Sequence, residues 1–299
     1  MEGYDLIIIG GGASGLMCAI KAKKSGINKI LVIEKNPILG GALNLANFNI
    51  SFSGNITGID YKESLIKEYN ESNIDTLLNT MVLNINESGK VCCISPDKGQ
   101  FELSSRFIIL ANGWKEKIRN SINMPGDRCS GIYTILNAKN ILNMDDVKLG
   151  NEIIIYGTKR LYMIKDELKN KNIKVKALVG SKCSNNDITD FIECTYENYN
   201  IKSIKGKGRI NSISIANSDD EKELSCDTLI LAEGFLSDGV VALRSEIQLN
   251  PETTGPKVND NFETSRHNIY ACGNGIFIHN FIEEIEEETD KLINKIASL

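Results

Sequence analysis

Short, unbroken apolar runs alternate with polar turns along much of this chain. The first run, Leu6-Ile7-Ile8-Ile9, is β-branched with no polar position, the pattern of a parallel strand buried on both faces. It leads directly into Gly10-Gly11-Gly12-Ala13-Ser14-Gly15, and Leu16 to Ala22 then reads as a helix. Residues 29–34 form a second strand-like run that ends in an acid, Glu34. Asp60 with Glu63 three residues on has capping-box spacing, and Leu65, Ile66 and Tyr69 would form the apolar stripe of a helix over 61–70. Strand-like runs at 76–85, 90–94, 100–103 and 107–110, parted by turns at Ser88-Gly89 and Pro96-Asp97, predict a meander and a returning strand. The polar, turn-rich stretch 114–131 reads as a linker, and Asn151 to Gly157 opens another strand–turn–helix unit. Cys226 to Gly234 is expected to return the chain to the first domain. Phe281, Ile282, Ile285, Leu292, Ile293 and Ile296 place a last helix from about Asn280, with acids leading and Lys291 and Lys295 trailing as the helix dipole prefers.

Gly10, Gly12 and Gly15 occupy the three glycine positions of G-x-G-x-x-G. The first permits a tight turn, the second lets a pyrophosphate approach the backbone, and the third lets helix pack on strand. Phosphates would then meet the free N–H groups at the helix N-terminus, beside Ala13 and Ser14. Glu34 falls where a carboxylate accepts hydrogen bonds from a ribose diol. Strand, triplet, helix, second strand and terminal acid stand in register, which predicts a dinucleotide site; a purely structural βαβ turn is the alternative.

Composition narrows the rest. The chain has 299 residues, 41% hydrophobic and 24% charged, with a net charge of −5, the make-up of a globular protein of about two domains. No basic run stands out, so no nucleic-acid partner is expected. No apolar run reaches the length of a membrane span, and no signal peptide is recognisable, so a cytoplasmic location is expected. Eight cysteines include no C-x-x-C pair, and there are two histidines, so no metal site is expected. Cys92 and Cys93 are neighbours on a strand, pointing to opposite faces, and read as buried hydrophobes rather than a disulfide.

Three further segments carry a resemblance. Lys35-Asn36-Pro37-Ile38-Leu39-Gly40-Gly41 resembles the double-glycine element of the two-dinucleotide-domain flavoproteins. Ile108-Ile109-Leu110-Ala111-Asn112-Gly113 is similar to their apolar strand ending in Ala-Thr-Gly. Residues 264–274, ending Ala271-Cys272-Gly273-Asn274, resemble their second FAD motif, with Asn274 where they carry an Asp. The resemblance implies FAD as cofactor and an α/β fold: a Rossmann-like FAD domain (1–118 and 226–299) with an inserted, degenerate second nucleotide-binding-like domain (119–225). It implies that Gly10, Gly12, Ala13, Ser14, Gly15, Glu34, Lys35, Gly40, Gly41, Val82, Ala111, Asn112, Gly113, Gly273, Asn274, Phe281 and Ile282 hold the cofactor. The isoalloxazine is expected against Gly40-Gly41, with backbone N–H groups near Phe281 and Ile282 at its N1/C2=O edge. His279 is the one acid/base candidate, with a helix-capping or interface role as the alternative.

The pattern also breaks. Where such proteins carry a glycine-rich second turn, this chain has Gly157-Thr158-Lys159-Arg160-Leu161-Tyr162, and the strand over 174–179 ends at Gly180 without an acid. Ordinary NAD(P)H binding is therefore not expected. No cysteine follows Gly40-Gly41, so dithiol chemistry of the thioredoxin reductase or lipoamide dehydrogenase kind is not expected either. Residues 55–61, 75–84, 112–119, 124–126, 271–274 and 278–280 resemble a subgroup: the FAD subunits found beside glycerol-3-phosphate dehydrogenase-like partners and those of hydrogen cyanide synthase, opine oxidase and dye-linked proline dehydrogenase. That likeness implies a partner dehydrogenase subunit acting on a small hydroxy or amino acid, with this chain relaying electrons. A stand-alone NAD(P)H-dependent flavin oxidoreductase and a non-catalytic FAD-bound scaffold are the alternatives.

Overall fold

The computed structural model of the protein describes residues 3–144, 147–182 and 190–299. In chain order the elements begin β1 (Tyr4–Ile9), α1 (Ala13–Lys24), β2 (Ile30–Ile33), α2 (Gly58–Glu71), β3 (Asp75–Leu77), β4 (Met81–Ile85), β5 (Val91–Ser95), β6 (Gly99–Leu103) and β7 (Ser105–Leu110). The chain leaves through β8 (Trp114–Glu116) and continues as β9 (Ile132–Thr134), α3 (Ile135–Leu142), β10 (Ile153–Tyr156), α4 (Tyr162–Asn170), β11 (Val175–Gly180) and β12 (Thr195–Glu197). It then forms β13 (Asn200–Lys207), β14 (Arg209–Ala216), β15 (Glu221–Ser225) and β16 (Thr228–Leu231), returns through β17 (Phe235–Ser237), and ends with α5 (Val240–Arg244), β18 (Ile269–Ala271) and α6 (Ile282–Ala297). Two compact units result: residues 1–115 with 236–299, and residues 116–235.

The first unit is built on a five-stranded sheet ordered β18-β7-β1-β2-β3. All its pairings are parallel, with Ile7 level with Leu31 on one side and Ile108 on the other. Successive residues of a strand face opposite ways, so the apolar run of β1 serves two cores. Leu6 and Ile8 pack with Leu16, Ile20, Tyr69, Tyr270, Ile285 and Leu292, beneath α1, α2 and α6. Ile7 and Ile9 pack with Val82, Ile85, Val91, Cys93 and Ala242, beneath the antiparallel meander β4-β5-β6 and α5. The second unit has a parallel sheet ordered β12-β11-β10-β16-β9 and a three-stranded antiparallel sheet β13-β14-β15. Ile154, Val179, Leu229 and Leu231 of the former meet Ile201, Ile204, Ile213 and Ile215 of the latter. Among α3 and α4 lies a buried ion pair: Lys139 Nζ stands 2.7 Å from Glu167 Oε1 and also donates to the Met163 carbonyl at 2.7 Å.

Four sequence expectations change. The run 76–85 is two strands in different sheets, β3 alongside β2 and β4 in the meander. The α2 cap is Thr57, whose hydroxyl accepts from the Asp60 N–H at 3.2 Å, so the helix starts a turn earlier than an Asp60 cap implies. The stretch 114–131 contains β8 and a 3-10 turn over Arg119–Ile122. Cys226 to Gly234 does not return to the first unit: β16 sits between β10 and β9 in the second sheet, and the crossing comes after Phe235. A buried parallel strand is an apolar run wherever it pairs, and the sheet it joins is decided by tertiary contacts.

Candidate FAD site

The loops that carry the glycine motifs emerge at one edge of the first unit's sheet, past the carboxyl ends of β1, β2, β7 and β18. That edge is where open α/β sheets bind ligands. Gly10 continues the ladder, donating its N–H to Ile33 O at 2.8 Å, and Ala111 N–H donates to Ile9 O at 2.8 Å. Gly10 has φ of +115°, open only to glycine without strain. A Cβ on Gly15 would collide with the carbonyl oxygen of Gly10, so this glycine lets α1 seat against the turn. Gly12 differs: the nearest heavy atom to an added Cβ would be Gly41 Cα at 3.9 Å. Its missing side chain leaves room on the ligand side rather than relieving a clash.

The N-terminus of α1 is left for an anion. Gly12 is its N-cap with no side-chain cap, and no acid stands in the first turn among Ala13, Ser14 and Gly15. Its unpaired N–H groups and dipole favour phosphate oxygens. Glu34 is 5% exposed, with Oε2 accepting from Gly11 N–H at 2.7 Å and Oε1 from Asn36 N–H at 2.8 Å. Each oxygen keeps lone-pair capacity for a hydroxyl, and the carboxylate is locked in place by the turn it serves. Lys35 beside it is exposed.

The double glycine lies against the first turn. Gly12 and Gly40 form a parallel bridge, and Gly40 N–H donates to Gly11 O at 2.8 Å. Gly40 and Gly41 have φ of +107° and +53°. Gly273 closes the site from the other side: a Cβ there would collide with the Ser14 side chain. Asn112 and Gly113 lie near Gly275, whose added Cβ would be 3.6 and 3.5 Å from their nitrogens. Gly10 to Gly15, Glu34, Lys35, Gly40, Gly41, Ala111 to Gly113, Gly273 and Asn274 thus belong to one edge of one unit.

Three predicted residues stand elsewhere in role. Val82 is 6% exposed and buries its side chain in the core under the meander, so only its backbone remains for a ligand. The N–H groups expected from Phe281 and Ile282 are already used: Phe281 donates to Glu284 Oε2 and Ile282 to Ile50 O, each at 2.9 Å. Glu284 also takes the Asn280 N–H at 2.9 Å, and Glu283 and Glu284 both stand in the first turn of α6. Two carboxylates offset the positive end of that helix dipole, so the expected helix-dipole support for a flavin is not built there.

Glu283 instead ties down the loop of residues 51–53. It accepts from the Ser51 hydroxyl, from Ser53 Oγ at 2.8 Å and from Ser53 N–H at 3.3 Å. Burial opposes its ionisation, but these donors prevail and hold its pKa at about 2. Phe52 and Phe281, both exposed, stack edge-to-face above it with ring centroids 5.6 Å apart.

Sequence reasoning found His279 but missed its partner. His279 N–H donates to Asn274 Oδ1 at 2.8 Å, the ring Nδ1 lies 3.2 Å from the same oxygen, and Nε2 lies 3.1 Å from Glu288 Oε2. The other Glu288 oxygen accepts the Gly273 N–H. The signal was available: Glu288 falls on the apolar stripe of α6, three residues past Ile285 and four before Leu292, where a charge needs a buried partner.

The cysteines of the described residues are mostly buried. Cys93 and Cys226 are buried, with burial pushing each thiol up to about 12. Cys18 and Cys272 are buried with sulfurs 3.7 Å apart, and hydrogen bonding to Cys18 and burial raise the Cys272 thiol well above its ordinary range. Cys183 lies outside the described residues. No group of three metal-ligating side chains occurs among the described residues, and no helix there is long and apolar enough to cross a membrane.

This cradle on a doubled Rossmann-like fold defines a class, the two-unit flavoprotein oxidoreductases. The model of the pyridine nucleotide-disulphide oxidoreductase family matches residues 4–158, and the chain belongs to that family. It is 26% identical over 292 residues to the ferredoxin–NADP reductase of Picrophilus torridus, covering 91% of this chain and 86% of that protein. It is 24% identical over 305 residues to the NADH oxidase of Methanocaldococcus jannaschii, covering 92% of this chain and 64% of the relative. In fold it resembles T. acidophilum thioredoxin reductase, with a TM-score of 0.78 at 16% identity over 100% of this chain and 99% of the other. It also resembles L-proline dehydrogenase from P. horikoshii, with a TM-score of 0.72 at 18% identity over 99% of this chain and 55% of the other. The protein is an FAD-dependent oxidoreductase, and the open face of Gly12, the uncapped α1 and the locked Glu34 fit that cofactor's pyrophosphate and ribose.

Proposed function

We propose that this flavoprotein relays electrons from a partner dehydrogenase subunit that oxidises a small hydroxy or amino acid, and that it does not draw on NAD(P)H. The observation that carries this reading is the second crossover. Gly157 follows β10 with φ of +92°, but an added Cβ there would sit 2.5 Å from Glu233 Oε1, so a carboxylate stands at the turn. The turn's Lys159 N–H is spent on Ala232 O at 2.9 Å, and Arg160 takes the left-handed conformation (φ +61°) with its guanidinium over the Phe235 ring. A pyrophosphate would meet side chains and a negative charge where it needs bare N–H groups.

Bound FAD supplies reversible two-electron storage. The chain's own residues anchor its pyrophosphate at Gly12 to Gly15 and orient a ribose on Glu34. With no cysteine beside Gly40-Gly41, electrons must leave the flavin directly rather than through a protein disulfide. The test is capture of a tagged copy from its native cells at low salt, followed by turnover with a dye acceptor. A co-purifying dehydrogenase that reduces this chain's flavin on addition of a hydroxy or amino acid supports the relay. Capture of the chain alone, inert to such acids, overturns it.

A second reading is an NAD(P)H-dependent reductase that hands electrons to a small redox protein. It is favoured by the near-complete coverage of relatives named ferredoxin–NADP reductase. The NAD(P)H titration that closes the Discussion separates the two.

A further inference from the structure

Asn274 stands one residue past Gly273, whose missing side chain leaves room for Ser14 of the first glycine turn, so its backbone lies at the cofactor edge. Its amide is orientated by hydrogen-bonding logic alone. A backbone N–H can only donate, so the Asn274 atom that receives the His279 N–H at 2.8 Å is the carbonyl oxygen. That oxygen can only accept. The His279 Nδ1 that meets it at 3.2 Å must therefore carry a hydrogen.

The opposite ring nitrogen faces Glu288 Oε2 at 3.1 Å, with both side chains about nine-tenths buried, at 10% and 11% exposure. A carboxylate accepts and a bare Nε2 accepts, so contact between them needs one more proton, on Nε2 or on the carboxyl. Glu288 is fixed in turn by the Gly273 N–H, and the ring is backed by Phe277, edge-to-face at 5.7 Å. With two donors on its oxygen, Asn274 has only its amide N–H₂ left to offer a ligand.

We propose that His279 and Glu288 are positioning residues that share one proton and hold Asn274 as a hydrogen-bond donor toward the cofactor. This rests on the FAD reading of the site only for the identity of what Asn274 donates to; the proton arrangement belongs to the protein itself. Neither residue is asked to transfer a proton to substrate. The pair acts by denying Asn274 its other rotamer, and it links β18, the loop of residues 276–281 and α6 through one side chain.

The chain has two histidines, and the other, His267, is exposed with its side chain 84% accessible. Nitrogen-15 NMR of the rings therefore needs a single assignment variant, with His267 as internal reference. In flavin-free protein at neutral pH we expect His279 Nδ1 to bear hydrogen and Nε2 to share a proton with Glu288. Glu288→Gln should strip the shared proton from Nε2 and leave Nδ1–H in place. Asn274→Ala, which leaves the His279–Glu288 contact untouched, should free Nδ1 while the Nε2 contact persists. In parallel, His279→Ala strands the buried Glu288 carboxylate and should lower the melting temperature of the flavin-free protein. At a temperature where the variant is still fully folded it should also weaken FAD binding about tenfold, the worth of one well-orientated hydrogen bond. A bare Nδ1 in the wild type, a ring spectrum indifferent to Glu288→Gln, or an unchanged FAD dissociation constant in His279→Ala overturns the proposal. Failure of every form to bind FAD would count against the cofactor reading instead, and the ring spectra would still decide the proton arrangement.

Discussion

The crossovers β1–α1 and β10–α4 start from the same material: an isoleucine-rich central parallel strand, a glycine at positive φ, then a helix. After Gly10 come three more glycines (Gly11, Gly12 and Gly15), an uncapped helix end and a distant acid folded back to hold the turn from outside. After Gly157 come Thr158, Lys159, Arg160 and Leu161, the last 1% exposed, and the carboxylate of Glu233 lies against the glycine itself. The backbone path needs only the first glycine of such a motif. The second and third serve a ligand and the close seating of the helix, so their loss leaves a Rossmann-like unit standing, and in the proposed reading costs it only its nucleotide. Fold and site are separable properties of the same turn.

The largest effects should come from the first turn, and they should split by position. Gly12→Val places a side chain in the open ligand space, so we expect FAD affinity to fall more than about 100-fold with the flavin-free melting temperature intact. Gly15→Val drives a side chain into the Gly10 carbonyl and should lower both. Equal melting-temperature losses in the two variants, seen by calorimetry without flavin, would mean that Gly12 is structural and that the comparison is misdrawn.

Next in size is the buried ion pair of the second unit. Lys139→Met strands the Glu167 carboxylate in a buried site and should cost about 3–5 kcal/mol, while Lys139→Met with Glu167→Leu should recover most of it. FAD affinity at 25 °C should be unchanged in both, since the predicted cofactor contacts all lie in the other unit. A matching loss of flavin would show that the two units do not behave separately.

The smallest effect is a matter of pH. The Glu283 carboxyl is depressed to about 2 in the folded chain, against about 4.3 when unfolded. A depressed acid contributes stability that is fully present above the unfolded value and lost as pH falls through the folded one. The tether between residues 51–53 and α6 should thus be constant from neutral pH to about 5 and vanish between about 4 and 2. Amide exchange of Ser53, compared with Glu283→Gln, checks it: loosening that begins near pH 6 contradicts the assignment.

What could be read in advance was local. The strand, glycine turn, α1, β2 and Glu34 were legible because each signals within a few residues, and their register along the chain is their register in space. The last helix was legible from its stripe, off by two residues at its start. The fate of 76–85 and of β16 was not, because pairing partners of buried strands are chosen by distant segments. The sheet β13-β14-β15 went unread, since its strands carry lysine, serine and glutamate along their exposed face and lie in the inserted domain expected to be degenerate. The N–H groups of Phe281 and Ile282 looked free because their acceptors, Glu284 and Ile50, are set by a turn and a packing contact that no motif records.

The central claim is that the first crossover holds FAD and the second does not serve NAD(P)H. Anaerobic titration of the purified flavoprotein with NADH and NADPH, followed at the flavin's visible absorption band, tests it most directly. We expect a yellow protein that neither nucleotide bleaches on the timescale of turnover, and that dithionite bleaches fully. Rapid bleaching by either nucleotide would show that the turn from Gly157 to Tyr162 binds it after all and that the chain is a self-sufficient NAD(P)H oxidoreductase.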